Sequence, residues 1–305
     1  MPLVRLPALA KINMRLEIMG RRADGYHELR TIFQSISLHD TLELEAVRGS
    51  RVELLISGDA RLADEPARDN LVYRAIEAAR RELGWRRGVR ARLEKNIPVG
   101  RGLGGGSSDA AAALIGMMRL AKREIPLARL MELGSNLGAD VPFFLHGGRA
   151  LGIGRGDEIY PLPDGPCQKV VVVSPGQIAV RTKDAYRWLD TRLRKRTLLT
   201  KSNSAHRMFR FCALCWSAQE SDLFNDFEAV VFPRHPRLGK IKRELLQRGA
   251  AEASLAGSGS AVFALFRNPA MARRAAQGFP QDQVFICDTV SRGEYRRAQH
   301  GRGGA

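Results

Sequence analysis

The stretch Pro98-Val-Gly-Arg-Gly-Leu-Gly-Gly-Gly-Ser-Ser-Asp-Ala-Ala is built to receive an anion. Its small residues let backbone approach a ligand closely and reach conformations closed to other residues. Several N–H groups can then converge on one group. The Ala-rich run that follows predicts a helix, whose N-terminus adds unpaired N–H groups and partial positive charge. Ser107, Ser108 and Asp109 fall where N-cap and first-turn residues belong. The two hydroxyls can donate to phosphate oxygens or ligate Mg²⁺, so a polyphosphate such as that of ATP suits the design. The Walker A pattern is absent, because no Lys-Ser or Lys-Thr follows the glycines. Gly100, Gly102 and Gly105 do spell GxGxxG, with Glu124 about 20 residues on, but Glu124 closes a helix where a dinucleotide fold needs a second strand. The glycine and serine run from Gly102 to Ser108 would also be an entropically poor choice for a mere connector.

Two charged residues stand out beside this loop. Lys11 lies in an otherwise apolar strand, AKIN, and a buried ammonium needs an anionic partner; a stem that packs while its head reaches water is the other reading. Asn13, two residues on, shares the Lys11 face of a strand. Asp140 follows a helix and precedes Val141-Pro142; Pro142 biases Val141 towards an extended conformation, so the helix stops there. The carboxylate would project beside Phe143 and Phe144, as a functional group or as an ordinary helix-ending Asp.

The elements that must position these residues are an irregular mixture. RLEIMG, TLELEAV and RVELLISG read as strands by partial alternation. A helix from about Asn70 to Leu83 places Leu71, Ala75, Ala78 and Ala79 on one face, and VRARLEKNIPV is a strand leading into the glycine loop. A further helix starts near Pro126, a favoured first-turn residue, and stops at Gly138. The segment PLPDGP, Pro161 to Pro166, is punctuation and sets a domain boundary that divides the chain into 1–163 and 164–305. Beyond it come the strand KVVVVSP, helices, a glycine loop in LAGSGSAVFALF, and a last strand in QVFICDTV. This order predicts two α+β domains, not a doubly wound sheet.

PVGRGLGGGSSDAAAAL resembles the second motif of the GHMP kinases. ALAKINMRLEIMGRRADGYHEL resembles the first motif of their diphosphocytidyl-methylerythritol kinase branch, and LAGSGSAVFALF the third GHMP motif. SNLGADVPFFLHGGRALGIGRGDEI and NDFE at 225–228 point to the same branch. GRRADGYHEL and GADVPFFL are the most specific of these segments, whereas the glycine loop alone speaks only for the superfamily. The resemblance implies an N-terminal domain like ribosomal protein S5 domain 2 and a ferredoxin-like C-terminal domain, with ATP and substrate between them. It implies transfer of the γ-phosphoryl group of ATP to the 2-hydroxyl of 4-diphosphocytidyl-2-C-methyl-D-erythritol, an intermediate of the non-mevalonate isoprenoid route.

The same resemblance assigns roles. Asp140 takes the proton from the substrate hydroxyl and Lys11 stabilises the charge of the transition state. Pro98, Gly100, Gly102, Leu103, Gly104, Gly105, Gly106, Ser107 and Ser108 bind ATP, with Asn70 and Lys95 on the adenosine side and Mg²⁺ as cofactor, for which Ser108 is a candidate ligand. Asn13 contacts substrate. Tyr26 and His27 offer an aromatic plate and a directional hydrogen-bonding group for a cytosine ring, although Asp24-Gly25 marks the segment as a turn. Tyr186 is a candidate for the opposite stacking face, or a core Tyr. Gly257, Ser258 and Gly259 form a wall near the substrate. Departures from the pattern are Arg101, where a small residue is usual, and Pro7-Ala-Leu-Ala before Lys11; Arg101 either aids phosphate binding or faces solvent. Another GHMP acceptor such as homoserine, mevalonate or a sugar is the first alternative, and a basic nucleic-acid-binding protein on an S5-like fold the second.

Composition narrows the setting. With 44% hydrophobic residues in 305, a core can be built and global disorder is excluded. The net charge of +17 favours anionic partners. Its densest block, Arg192 to Arg210, lacks the interleaved aromatics of a base-stacking platform and reads as a solvated segment, which argues against nucleic acid. No apolar run approaches the roughly 18 residues of a membrane span, and Arg5 and Lys11 break the N-terminal stretch, so a cytoplasmic protein is expected. Cys212 and Cys215 form a lone CxxC in apolar surroundings, which reads as a helix face and not as a metal or redox pair. His39, His146, His206, His235 and His300 show no cluster spacing.

Overall fold

The computed structural model describes residues 3–196, 211, 215 and 222–300. Two long antiparallel strands, β1 (Leu3–Arg21) and β2 (His27–Val47), form its spine. At the start of β1 the burial alternates, with Val4, Leu6 and Ala8 turned into the core, as a one-sided strand should. From Ala8 to Asn13 every residue is buried, because a second sheet covers the other face. That double cover erases the alternation in the sequence and places Lys11 inside, only 4% exposed.

β3 (Val52–Ser57), β4 (Gly88–Glu94), β5 (Arg149–Ile153), β6 (Glu158–Pro161) and β8 (Phe224–Asn225) join the spine. The order is β3-β4-β2-β1-β8, with β5 paired to β2 and β6 to β5. β3–β4 and β1–β8 are parallel and the other pairs antiparallel. α1 (Ala60–Asp64) leads into α2 (Leu71–Leu83), and α2 packs with α3 (Gly105–Ala121) on this sheet through Ala75, Ala79, Ala110 and Leu114. α4 (Leu127–Leu137) ends at Gly138 as expected, while Pro126 stands one position outside it as the N-cap residue.

The chain from Val141 to His146 corrects an expectation. It is a short helix, α5, with Asp140 at its N-cap position and Pro142 in its first turn, not extended backbone. Proline in the first turn loses no helical hydrogen bond and its φ already suits a helix, so it starts α5 instead of prolonging an extended segment.

The second sheet has the order β11-β7-β10-β9, all antiparallel: β7 (Lys169–Ser174), β9 (Glu252–Leu255), β10 (Val262–Phe266) and β11 (Gln283–Asp288). With α6 (Thr182–Arg196), α7 (Glu228–Val231) and α8 (Pro236–Gln247) between its first two strands and α9 (Pro269–Ala276) between its last two, this is the βαββαβ arrangement of a ferredoxin-like domain. The all-apolar run of β7 has a simple cause. Val171 and Val173 face the helices, whereas Val170 and Val172 face Ala10, Ile12 and Ile36 of the spine.

The last helix, α10 (Arg292–His300), returns to the first sheet. Its Tyr295 hydroxyl donates to Phe144 O at 2.6 Å and its Gln299 amide to Pro7 O at 2.7 Å. Among the described residues no helix is long and apolar enough to cross a membrane. Most of the basic block and Cys212 lie outside the described residues. Cys215 is half-buried and Phe211 buried, both in helical conformation.

Candidate active site

A cleft of about 1040 Å³ opens between the two sheets, floored by β1 and walled by the glycine loop, α6 and the turn 256–261. Enzyme clefts for ligands of nucleotide size fall near this volume.

The loop enters the cleft through left-handed turns. Gly102 has φ +82°, and a Cβ there would lie 1.8 Å from Ala256 O. Gly104, at φ +74°, is the N-cap residue of α3, and its Cβ would meet Phe144 at 2.7 Å. The expectation that Ser107 to Asp109 start the helix is therefore shifted: Gly104 does, because only glycine fits that φ and that gap. The first turn of α3 brings Gly105, Gly106 and Ser107 to the cleft with N–H groups that have no partner inside the helix. Pro98, Gly100, Gly102 and Leu103 line the approach, and Leu103 O accepts from Lys11 N at 3.0 Å.

Ser108 differs from its expected place. It is 1% exposed and its hydroxyl donates to Leu9 O at 2.7 Å, tying α3 to β1 instead of facing the cleft. The i to i+1 step on a helix turns the side chain by about 100°, so only one of two adjacent serines can face the ligand.

Lys11 and Asp140, 129 positions apart in sequence, come together here. Lys11 Nζ lies 3.4 Å from Asp140 Oδ2 and donates to Asn13 Oδ1 at 2.8 Å. Asn13 shares the Lys11 face, as strand parity requires, and its amide donates to Thr31 Oγ1 at 2.8 Å. Thr31 in turn donates to Arg15 O. Both residues line the cleft; the Asp140 side chain keeps 34% exposure, whereas that of Lys11 is almost fully enclosed at 5%.

Opposite the glycine loop, His27 stacks on Tyr186 with ring centroids 4.5 Å apart and an interplanar angle of 25°. His27 Nε2 lies 2.6 Å from Asp190 Oδ1; a carboxylate only accepts, so Nε2 is the donor in this contact. One face of Tyr186 is thus already covered by His27, and its edge contact with Phe227 spans 4.9 Å. Burial pushes its phenol well above the ordinary value, with Asp140 adding to the shift. Tyr26 stands 57% exposed at the rim, with the Arg155 guanidinium 5.1 Å from its ring centre. Gly257 and Ser258 line the cleft. Gly259 packs behind it, where an added Cβ would sit 2.3 Å from Arg101 C.

Asn70 and Lys95 border the cleft but are engaged structurally. Asn70 caps α2, accepting from Val72 N at 2.9 Å. Lys95 is buried between Asp40 and Asp109, bonding both. Asp40 also accepts from Asn96 N and from Ile97 N at 2.8 Å, fixing the entry to the glycine loop. Burial, the largest influence, lowers the Lys95 pKa, but the two carboxylates together outweigh it and raise it. Asp109 is pushed up to about 8, first by burial, with Lys95 opposing and Asp40 adding.

Sequence reasoning missed Thr31, Asp40, Asn225 and the destination of Arg101. Asp40 offered a signal, since Asp is depleted in strands and one inside TLELEAV's approach needs a reason. Asn225 donates to Leu255 O and Gly257 O at 2.8 and 2.7 Å and accepts from Phe227 N, so NDFE holds the wall turn in place.

The GHMP kinases N terminal domain family matches residues 70–148, and the GHMP kinases C terminal family residues 208–283. A 4-diphosphocytidyl-2-C-methyl-D-erythritol kinase of Solibacter usitatus is 47% identical over 95% of this chain and 90% of its own length. The one of Pelotomaculum thermopropionicum is 40% identical over 93% of this chain and 97% of its own. The crystal structure of a 4-(cytidine 5'-diphospho)-2C-methyl-D-erythritol kinase superposes with a TM-score of 0.76 at 34% identity, covering 94% of this chain and all of that one. Homoserine kinase from Cytophaga hutchinsonii, at 18% identity and a TM-score of 0.69 over 95% of each chain, shares the fold.

Proposed function

Since this chain belongs to the 4-diphosphocytidyl-2-C-methyl-D-erythritol kinases of the GHMP superfamily, we propose the following division of labour in its cleft. The enzyme is an ATP-dependent kinase of the isoprenoid route that phosphorylates a hydroxyl of 4-diphosphocytidyl-2-C-methyl-D-erythritol. The observation that carries the mechanism is the Lys11–Asp140 pair at 3.4 Å, exposed on the carboxylate side and facing the first turn of α3.

Asp140 takes the proton of the substrate 2-hydroxyl. The freed oxygen attacks the γ-phosphorus, the bond to the β-phosphate oxygen breaks, and ADP leaves. Lys11 stabilises the charge on the transferring group, and Asn13, held by Thr31, orients the hydroxyl. The glycine loop and the N-terminus of α3 bind the phosphates of ATP, with the adenosine beside Asn70 and Lys95. Mg²⁺ neutralises phosphate charge when bound and needs few protein ligands of its own. Ser107 is the hydroxyl on the cleft that suits it, since Ser108 is turned away. Tyr26 and His27 receive the cytosine ring, and Gly257 and Ser258 back the substrate. The catalytic elements lie in a domain built mainly from residues 1–163, and the boundary at 163 separates it from a second domain built from 164–305, which lends β8 and α10 back to the first.

ADP release by the purified protein tests this reading, with 4-diphosphocytidyl-2-C-methyl-D-erythritol, homoserine and mevalonate as parallel acceptors. Turnover with the cytidine-bearing acceptor alone is expected. Turnover with another acceptor instead, or salt-sensitive nucleic-acid binding without ADP release, would overturn it.

A further inference from the structure

Arg101 is the one charged residue between Pro98 and Ser108, set between two left-handed glycines, Gly100 at φ +71° and Gly102 at φ +82°. The sequence offered it phosphate or solvent. The structure buries it at the edge of the cleft: the residue is 8% exposed and its guanidinium crosses to the second domain. Nη1 donates to Ser260 Oγ at 2.6 Å and Nη2 to Gly176 O at 3.1 Å. Ser260, fully buried, lies in the turn between β9 and β10, and Gly176 follows β7.

The backbone at this crossing is pressed together. Ala261 N donates to Arg101 O at 3.3 Å, and a Cβ on Gly102 or Gly259 would overlap the opposing main chain. The same turn carries Gly257 and Ser258 on the cleft wall. Backbone packing this close needs only small residues, so it does not call for an arginine. A guanidinium withdrawn from water is costly unless it is hydrogen-bonded, and fixed partners are what it gains here.

We propose that Arg101 is a positioning residue: it fastens the glycine loop to Ser260 and Gly176 of the second domain. ATP therefore meets a loop whose conformation is already set. This rests on the reading that the glycine loop is the ATP phosphate site. Three consecutive glycines, Gly104 to Gly106, would otherwise be ordered at the expense of binding. A loop held from outside transfers that ordering from the binding step to folding.

The test is the ATP dissociation constant and the steady-state constants of the full chain, for the wild type, Arg101→Ala, Arg101→Lys, Ser260→Ala and the Arg101→Ala/Ser260→Ala double variant. Arg101→Ala is expected to weaken ATP binding and raise its KM by roughly 10- to 100-fold, the scale of a charge-assisted hydrogen bond. Its kcat at saturating ATP should stay within about threefold, Arg101→Lys should recover part of the loss, and Ser260→Ala should add nothing in the Arg101→Ala background. Folded Arg101→Ala binding ATP within about twofold of the wild type overturns the proposal, as does full additivity with Ser260→Ala. If Arg101→Ala does not fold, Ser260→Ala decides: weaker ATP binding with kcat kept supports the proposal, and unchanged ATP binding overturns it. A wild type that does not bind ATP refutes the assignment of the phosphate site, a failure separate from these.

Discussion

Replacing Asp109 with Asn should remove a pH dependence of stability that the buried triad imposes. Lys95 faces two carboxylates, so full ionisation would leave a net negative charge in a dry core. Asp40 is the better satisfied of the two, with Asn96 N and Ile97 N as added donors. Asp109 has Lys95 at Oδ2, 2.6 Å away, and a buried Oδ1 with no hydrogen-bond partner. Burial accordingly lifts its acid from 3.8 to about 8. Between those values the native chain keeps a proton that the unfolded chain has lost, so stability declines as pH rises. The contribution is complete below the unfolded value and gone above the folded one. The slope is about 1.4 kcal/mol per pH unit, which accumulates to about 6 kcal/mol across the window. Asn cannot ionise and still offers Lys95 an amide oxygen. Urea unfolding of both proteins from about pH 5 to about pH 9 should show the variant gaining on the wild type by that slope up to about pH 8, then running level. Parallel stability curves throughout would refute the argument that Asp109 holds the proton.

Two further outcomes follow from the geometry. Asp140→Asn keeps the shape of the side chain but cannot take a proton; kcat for ADP release should fall about 10²- to 10⁴-fold while the dissociation constant of the acceptor stays within about threefold, and a kcat within about tenfold of the wild type would exclude Asp140 as the base. Gly102→Ala forces a Cβ towards Ala256 O at a left-handed φ, so thermal unfolding should show a loss of about 3 kcal/mol or more, together with weakened ATP binding, and an unchanged melting temperature would contradict the close approach.

What could be read from the sequence was local. The glycine loop announces itself because each of its conformations needs a residue type that is rare in runs. Lys11 and Asn13 could be put on one face because strand parity depends on two adjacent steps only. The Asn70 to Leu83 helix shows its apolar stripe and its capping residue within a single segment. Of the long strands only RLEIMG and TLELEAV show in the sequence, because alternation fails wherever both faces are covered, and nothing within β1 tells that residues 170 and 263 will cover it. Arg101 was undecidable for the same reason: its partners, Ser260 and Gly176, lie 159 and 75 positions away. At Val141-Pro142 two local preferences compete, extended backbone before proline and proline in a first helical turn, and the second prevails.

The hydrogen bond from Tyr295 to Phe144 O has a consequence in time. Its partners are separated by 151 positions. At about 5–20 residues per second, a ribosome delivers Tyr295 roughly 8–30 s after α5. During that interval the turn at Gly147, where the Tyr295 ring packs within about 2 Å of an added Cβ, has no cover, and neither does the far end of the helix that begins at Asp140. The first domain must therefore wait for a helix near the far end of the sequence before α5, which starts beside Asp140, is anchored at both of its ends. A nascent chain stalled short of residue 295 should carry the glycine loop, Lys11 and Asp140, and still lack a finished site.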